Sequence, residues 1–253
     1  INFAAAVSSD ANYNGLIPAS VTMFNNDNDT AGFELEAMNG PVSEDGAIAS
    51  FSARLRTEPS SDVTVDVVSS DTTEGVVSVS SLTFTPSNWD SSQIIFVTGV
   101  NDNIADGNQS FTVTLSIDST SDANYGALSP ASVSVLNLDN DTAGFLLSDV
   151  SAPTTENGGT ATFTVRLQSE PSSDVTISYA SDDPTEGVTS GNQMTFTTAN
   201  WNAPQTVTVT GQDDGIADGD QTYRVVFNPA VSNDTNYSGL TPSAHPLFNN
   251  DND

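Results

Sequence analysis

The feature that most constrains the fold of this chain is an internal repeat without gaps. The motif Asn-x-Asp-Asn-Asp ends at Asp29, Asp141 and Asp253, which lie 112 residues apart. At that offset residues 30–141 fall on residues 142–253, with TAGF, EPSSDVT and IADG in register. Solenoid repeats are only about 20–50 residues long, whereas this period is long enough for a self-contained domain. We therefore predict two domains, 30–141 and 142–253, as beads on a string, and assign residues 1–29 to the last strands of a preceding, incomplete repeat.

Apolar and polar residues alternate within each repeat at the period of a half-buried strand. Ala161, Phe163 and Val165 alternate with polar residues, as do Phe51 and Ala53 in the other copy. About seven such runs per repeat, separated by Gly, Pro, Asn and Asp clusters, predict all-β, Ig-like antiparallel β-sandwiches. No stretch has the 3.6-residue apolar period of a helix.

Residues 1–29 contain two further predicted strands, 1–7 and 19–25. Two strands alone cannot bury an apolar face. They either belong to a preceding repeat or complete the sheet of an identical neighbouring chain by strand exchange.

The charge of the chain excludes several classes of function. It has 33 acidic residues, four arginines as its only basic residues, and a formal charge of −29. Nucleic-acid binding needs a basic face, and membrane insertion needs an apolar run of about 18–20 residues, so we expect neither. The chain has one histidine, no cysteine, no lysine and no Gly-x-Ser-x-Gly motif. No residue is therefore a candidate nucleophile, and we predict that the protein is not an enzyme.

Ten acidic positions recur in register in both repeats, most of them at predicted turns. Because alternate turns of a sandwich gather at one end, several carboxylates should converge there. Two of them about 4 Å apart repel by roughly 4 kcal/mol at an effective dielectric of 20, against a total domain stability of about 5–15 kcal/mol. Hard oxygen ligands suit Ca²⁺, with Mg²⁺ as an alternative, whereas zinc and copper prefer His or Cys. A purely solvating acidic surface is the other alternative, although it does not require acids in register.

The motifs that carry these acids resemble a known family. Glu44-Asp45-Gly46, Asp71-x-x-Glu74-Gly75, the segment 101–111 and the closing Asp-Asn-Asp-Thr-Ala-Gly are similar to Calx-β-type calcium-binding repeats, and the tandem resembles Ig-like repeats of large bacterial surface proteins. The resemblance implies several Ca²⁺ ions at the repeat junctions. It implies ligands at Glu44, Asp71, Asp102, Asp106, Asp139 and Asp141, and in the second repeat at Glu156, Asp183, Asp214, Asp218, Asp251 and Asp253. The same motifs add four candidates: Asp27, Asp29, Glu74 and Glu186.

These features predict an extracellular, cell-surface structural protein, a calcium-rigidified rod or filament such as an adhesin stalk. Its expected partners are neighbouring repeats of the same or identical chains, and a glycan or surface ligand. Two alternatives remain open: a calcium-dependent carbohydrate-binding adhesion module, and an acidic accessory domain of a secreted hydrolase. Trp89 and Trp201 could stack on a sugar, but their place directly before a strand favours packing. Tyr13, Tyr125 and Tyr237 are expected to plug the sandwich end like a tyrosine corner.

Overall fold

The computed structural model describes residues 1–253, and all of its regular structure is β-strand. No helix long and apolar enough to span a membrane occurs in it. Repeat 1, residues 30–141, contains β1 (Phe33–Leu35), β2 (Val42–Ser43), β3 (Ile48–Leu55), β4 (Val63–Ser69), β5 (Gly75–Val77), β6 (Ser81–Phe84), β7 (Gln93–Gly99), β8 (Gln109–Thr120) and β9 (Ala131–Leu138).

Repeat 2, residues 142–253, has the equivalent strands, with the equivalent of β8 divided into two strands, β17 and β18. Its strands are β10 (Phe145–Leu147), β11 (Thr154–Thr155), β12 (Thr160–Leu167), β13 (Val175–Ser181), β14 (Gly187–Thr189), β15 (Gln193–Phe196), β16 (Gln205–Gly211), β17 (Gln221–Phe227), β18 (Val231–Ser232) and β19 (His245–Asn250).

Each repeat is a sandwich of two sheets. In repeat 1 the strand orders are β1-β3-β7-β5 and β2-β9-β8-β4-β6. Repeat 2 has the orders β10-β12-β16-β14 and β11-β19-β17-β13-β15, with β18 beside β13. The pairs are antiparallel except β2 with β9 and β11 with β19, which are parallel. The predicted all-β sandwich is confirmed. The strands outnumber the predicted seven because edge strands of two or three residues are too short to show an alternating pattern.

The alternating side chains build one core per repeat. In β12, Ala161, Phe163 and Val165 are at most 1% exposed, while the threonines between them are half-buried. The two cores are separate clusters of 17 buried residues each, as expected for two domains. Trp89 and Trp201 are partly buried and pack against these cores, as expected.

A buried tyrosine closes one end of each sandwich. Tyr13, the third tyrosine expected to have this role, is 62% exposed and closes no sandwich, whereas Tyr125 and Tyr237 are 1% exposed. Their hydroxyls donate to the backbone oxygens of Thr57 at 2.6 Å and Ser169 at 2.7 Å. The same hydroxyls accept the backbone N–H of these residues at 3.1 and 3.0 Å. These bonds anchor the β3–β4 turn in repeat 1 and the β12–β13 turn in repeat 2, as in a tyrosine corner.

Residues 1–29 form a hairpin that packs on neither sandwich. Ile1 and Val21 exchange two hydrogen bonds, of 2.6 and 3.0 Å. This is the register of the equivalent pair Val113 and Val133 in β8 and β9. The predicted strands 1–7 and 19–25 are nevertheless not formed, since a two-stranded hairpin without a third strand is barely stable. Its apolar side chains are exposed, Phe24 by 88%.

The loop between β7 and β8 joins the two repeats. The oxygen of Asn103 accepts the backbone N–H of Glu170 at 2.6 Å, and the oxygen of Ala105 accepts the side-chain amide of Asn236 at 2.7 Å. Ile104 and Glu170 form an isolated parallel β-bridge. This loop therefore lies at the C-terminal end of repeat 1 and on the N-terminal end of repeat 2.

Candidate metal centre

Two groups of three carboxylates meet at the C-terminal end of repeat 1. Triad A consists of Glu44, Asp102 and Asp141, and triad B of Glu74, Asp102 and Asp106. Within each triad, carboxylate oxygens lie within 4.8 Å of one another. Because Asp102 belongs to both triads, the five side chains form one continuous acidic cluster.

The topology of the sandwich brings these carboxylates together from four places in the chain. Glu44 follows β2, Glu74 precedes β5, Asp102 and Asp106 lie in the β7–β8 loop, and Asp141 follows β9. The parallel pair of β2 and β9 places the first and last of these segments side by side. The segments are far apart in sequence, so a folded repeat is required to assemble the cluster.

Hydrogen bonds fix the acids of the two triads. The backbone N–H of Asn140 donates to Oε2 of Glu44 at 3.1 Å. The side-chain amide of Asn137 donates to Oε2 of Glu74 at 3.1 Å and to the oxygen of Val100 at 3.2 Å. Asn137 is 1% exposed and was not among the predicted site residues. Asn137 could have been identified from the sequence, because an Asn is the first residue of every Asn-x-Asp-Asn-Asp motif.

Asp139, also a predicted ligand, lies beside the triads and shapes the loops that carry them. Its Oδ1 accepts the backbone N–H of Asp141 at 2.7 Å, and its Oδ2 accepts that of Gly107 at 2.6 Å. Gly107 has φ of 78°, which favours glycine there. Asp139 therefore ties the β7–β8 loop to the end of β9.

Repeat 2 contains the same arrangement with one change. Its first triad is Glu156, Asp213 and Asp253, and its second is Glu186, Asp214 and Asp218. Asp213 was not predicted, because repeat 1 has Asn101 at the equivalent position and only matched acids were considered. The two triads here do not share a residue.

The second copy also retains the supporting hydrogen bonds. Asn249 donates to Oε2 of Glu186 at 3.2 Å, and Asp251 accepts the backbone N–H groups of Gly219 at 2.7 Å and Asp253 at 2.8 Å. Both sets of hydrogen bonds occur in the two copies, which indicates that they are a general feature of the repeat.

The remaining predicted ligands lie outside the triads. Asp71 and Asp183 are caps of tight turns, accepting the backbone N–H of Thr73 at 2.9 Å and Thr185 at 3.0 Å. The hydroxyls of the same threonines, together with these backbone N–H groups, lower the pKa of both carboxyls. Asp27 and Asp29 are exposed, on a hairpin that packs on neither sandwich.

The carboxylates of repeat 1 destabilise one another electrostatically. Burial raises the pKa of the carboxyls of Glu44, Asp106 and Asp141, and the negative charges of Asp102 and Asp139 raise all three further. Holding several such groups ionised in close proximity costs free energy.

No basic side chain offsets this repulsion. The one ion pair in the structure joins Arg54 to Glu34 at 2.9 Å, both on the surface and outside the triads. Oδ2 of Asp141 is buried and has no hydrogen-bond partner. Clustered hard oxygens with an unpartnered carboxylate oxygen fit a divalent cation of the calcium type.

His245 does not contribute to this chemistry. Its ring lies 4.4 Å from that of Phe163, in the position of Val133 in the other copy, and burial lowers its pKa. It is a local variation in packing against the core.

Comparison with known proteins identifies the repeats. The family model of the Calx-beta domain matches residues 24–141 and 138–252. No curated protein matches the chain. Among solved structures, CBD12 from CALX1.2 is 15% identical with a TM-score of 0.38, covering 85% of this chain and 99% of that one. The calcium binding domain CBD12 of CALX1.1 is 16% identical with a TM-score of 0.35, covering 75% and 77% respectively. The chain therefore belongs to the Calx-beta family and consists of two tandem Calx-beta domains, which are calcium-binding modules.

Proposed function

We propose that this chain is part of an extracellular structural protein, a rod or filament of Calx-β sandwiches that calcium stiffens at each junction. An adhesin stalk or surface fibre is the expected context. The observation that carries the proposal is the dual use of the β7–β8 loop. It bears Asp102 and Asp106 of the triads, and its residues between them contact repeat 2.

The loop transmits the state of the acidic cluster to the next domain. Oδ1 of Asp102 accepts the backbone N–H of Ile104 at 2.7 Å, which fixes the turn that presents Ile104 to Glu170. Since Asp139, beside the triads, ties the other end of the loop to β9, both ends of the loop are held next to the cluster. Movement of the triad carboxylates must therefore displace the contact surface.

A bound Ca²⁺ would supply positive charge to Glu44, Glu74, Asp102, Asp106 and Asp141. Without it, their mutual repulsion opposes the folded arrangement. Ligand binding to the folded state alone stabilises it by RT ln(1 + [L]/Kd). Extracellular modules bind calcium with Kd of about 10⁻⁴–10⁻³ M, which agrees with millimolar calcium outside cells.

Calorimetry and limited proteolysis test this function together. Calcium should raise the melting temperature and suppress cleavage near Asp141–Thr142, and a chelator should reverse both effects. Sodium chloride at equal ionic strength is the control for simple screening. If sodium chloride reproduces the full effect of calcium, the acids only solvate the surface and the proposal is wrong.

A further inference from the structure

The single histidine of the chain occupies a core position of repeat 2. His245 begins β19, and its side chain lies on the same face of that strand as the buried Leu247. It pairs with Val225 of β17, and its ring centroid lies 4.4 Å from that of Phe163 in the opposite sheet. Repeat 1 has Val133 at the equivalent position. One repeat therefore places an ionisable ring where the other has a hydrocarbon side chain.

The site accommodates a neutral ring better than a protonated one. Nε2 of His245 is buried and has no hydrogen-bond partner. A neutral imidazole has a hydrogen on only one of its two nitrogens, so Nε2 can remain without one. Protonation makes both nitrogens donors, and Nε2–H then becomes a buried donor without an acceptor, which costs free energy. The geometry therefore opposes the charged form.

The strands packed around the ring direct little charge toward it. Arg166 on β12 and Arg224 on β17 lie on the outer faces of their sheets, since the residues on either side of each are the buried ones. Tyr179 on β13 and Tyr223 on β17 face inward, and burial raises the pKa of both hydroxyls. None of these four side chains changes its charge at neutral or mildly acidic pH.

The surroundings of the ring favour its neutral form on balance. Burial, the largest effect, lowers the pKa of His245 below its ordinary value of 6.5, and the negative charge of Asp149, in the loop after β10, offsets part of that shift. Phe163 also favours the charged ring, because an aromatic face attracts a cation. The folded repeat therefore keeps the ring neutral to a lower pH than the unfolded chain does.

We propose that His245 is a proton-sensitive switch, through which mild acid destabilises repeat 2 and not repeat 1. As the pH falls below 6.5, the ordinary value for the ring, the unfolded chain takes up a proton that the folded repeat excludes. The stability that depends on the neutral ring is fully present above that pH and is lost progressively below it. The loss ends once the folded ring is protonated as well.

Urea unfolding of the natural protein and of His245→Val, which has the residue of repeat 1, measures this loss. Both proteins carry Trp89→Phe, so that the fluorescence of Trp201, which packs on the core of repeat 2, reports that repeat alone. Unfolding is followed in excess calcium at about pH 7.5 and about pH 5, on either side of the ordinary pKa of the ring. The comparison cancels the titration of the carboxylates, because the two proteins share all of them.

Acid should lower the folded-to-unfolded ratio of repeat 2 more in the natural protein than in His245→Val. The extra loss should be at most tenfold for each pH unit by which the pKa of the folded ring lies below that of the unfolded ring. The matched control is the same pair with Trp201→Phe in place of Trp89→Phe, in which Trp89 reports repeat 1 and no difference is expected. An equal loss in repeat 2 of both proteins overturns the proposal.

Proton NMR of the natural protein supplies the two pKa values without any substitution, because one histidine gives one ring Cε1–H signal. The signal is followed against pH in the folded protein with excess calcium, and again in urea. We expect the folded ring to titrate at a lower pH than the unfolded ring. A folded ring that titrates at the same pH as the unfolded ring, or at a higher one, overturns the proposal.

Discussion

Replacing Asp102 by Asn should make repeat 1 more stable than in the natural protein without calcium, and less stable than in the natural protein with calcium. Asp102 is the one carboxylate shared by triads A and B, with oxygens of its neighbours within 4.8 Å. Two unit charges at that separation repel by about 0.9 kcal/mol in water and about 3.5 kcal/mol at an effective dielectric of 20. The amide oxygen of Asn can still accept the N–H of Ile104, so the turn is retained. We expect repeat 1 of Asp102→Asn to be about 2 kcal/mol more stable than the natural protein in chelator.

Calcium should invert this difference. At a concentration 100 times Kd a ligand adds about 2.7 kcal/mol to the folded state, and the variant lacks a carboxylate that both triads use. Scanning calorimetry in low salt should show the transition of repeat 1 about 8 °C higher than natural in chelator, and lower than natural in excess calcium. The transition of repeat 2, which has its own triads, is an internal reference within the same scan.

Asp62→Asn is the matched control. Asp62 is exposed and lies outside the triads, and its replacement by Asn changes the net charge by the same amount as Asp102→Asn. It should show no inversion. A variant at Asp102 that is destabilised equally in chelator and in calcium would refute the reasoning. Such a result would mean that Asp102 acts only through its turn, and that repulsion within the cluster is negligible.

Three other substitutions test interactions that stabilise repeat 1 as a whole. Tyr125→Phe removes the hydroxyl that bonds to the backbone of the β3–β4 turn, and should lower the free energy of unfolding in urea by about 1–3 kcal/mol. Tyr13→Phe, at an exposed site, should leave that free energy unchanged. Backbone N–H groups, first that of Ser60, lower the pKa of Asp122 to about 2. The ionised carboxylate therefore stabilises the fold by roughly 1 kcal/mol after solvent screening. This stability is fully present above about pH 4 and should be lost as the pH falls toward 2. Asp122→Asn should flatten that part of the curve of unfolding free energy against pH. Gly99→Ala should destabilise repeat 1 by about 1–3 kcal/mol in the same urea assay, because a Cβ there meets a backbone carbonyl beside β2.

The sequence was sufficient for the fold because the relevant signal is local and occurs twice. Alternation within each strand, such as Ala161 to Leu167, needs no knowledge of tertiary contacts, and the gapless repeat predicts where one domain ends. Strand pairing was not predictable in this way. The parallel contact of β2 with β9 joins segments at opposite ends of the repeat, and a two-residue strand carries no periodicity.

The candidate site was harder to predict than the fold, since matching acids identifies residues without identifying their neighbours. Asp71 matches Asp183 yet both are turn caps, because an Asp followed two residues later by Thr forms the same local bonds in either copy. Asp213 lies in a triad although its counterpart is Asn101. The comparison of acids also passed over Asn137, a neutral residue whose amide holds a carboxylate.

The motif at 137–141 shows why two carboxylates recur between asparagines in a chain that is already strongly acidic. Its first Asn fixes Glu74, its first Asp ties the contact loop to β9, its second Asn holds Glu44 through the backbone, and its last Asp joins triad A. Only one of the five residues lies in a triad. Asn137, Asp139 and Asn140 hold like charges close together, an arrangement that repulsion would otherwise open. Holding like charges together costs free energy unless a cation occupies the cluster, so the presence of this support in both repeats favours the cation site proposed above.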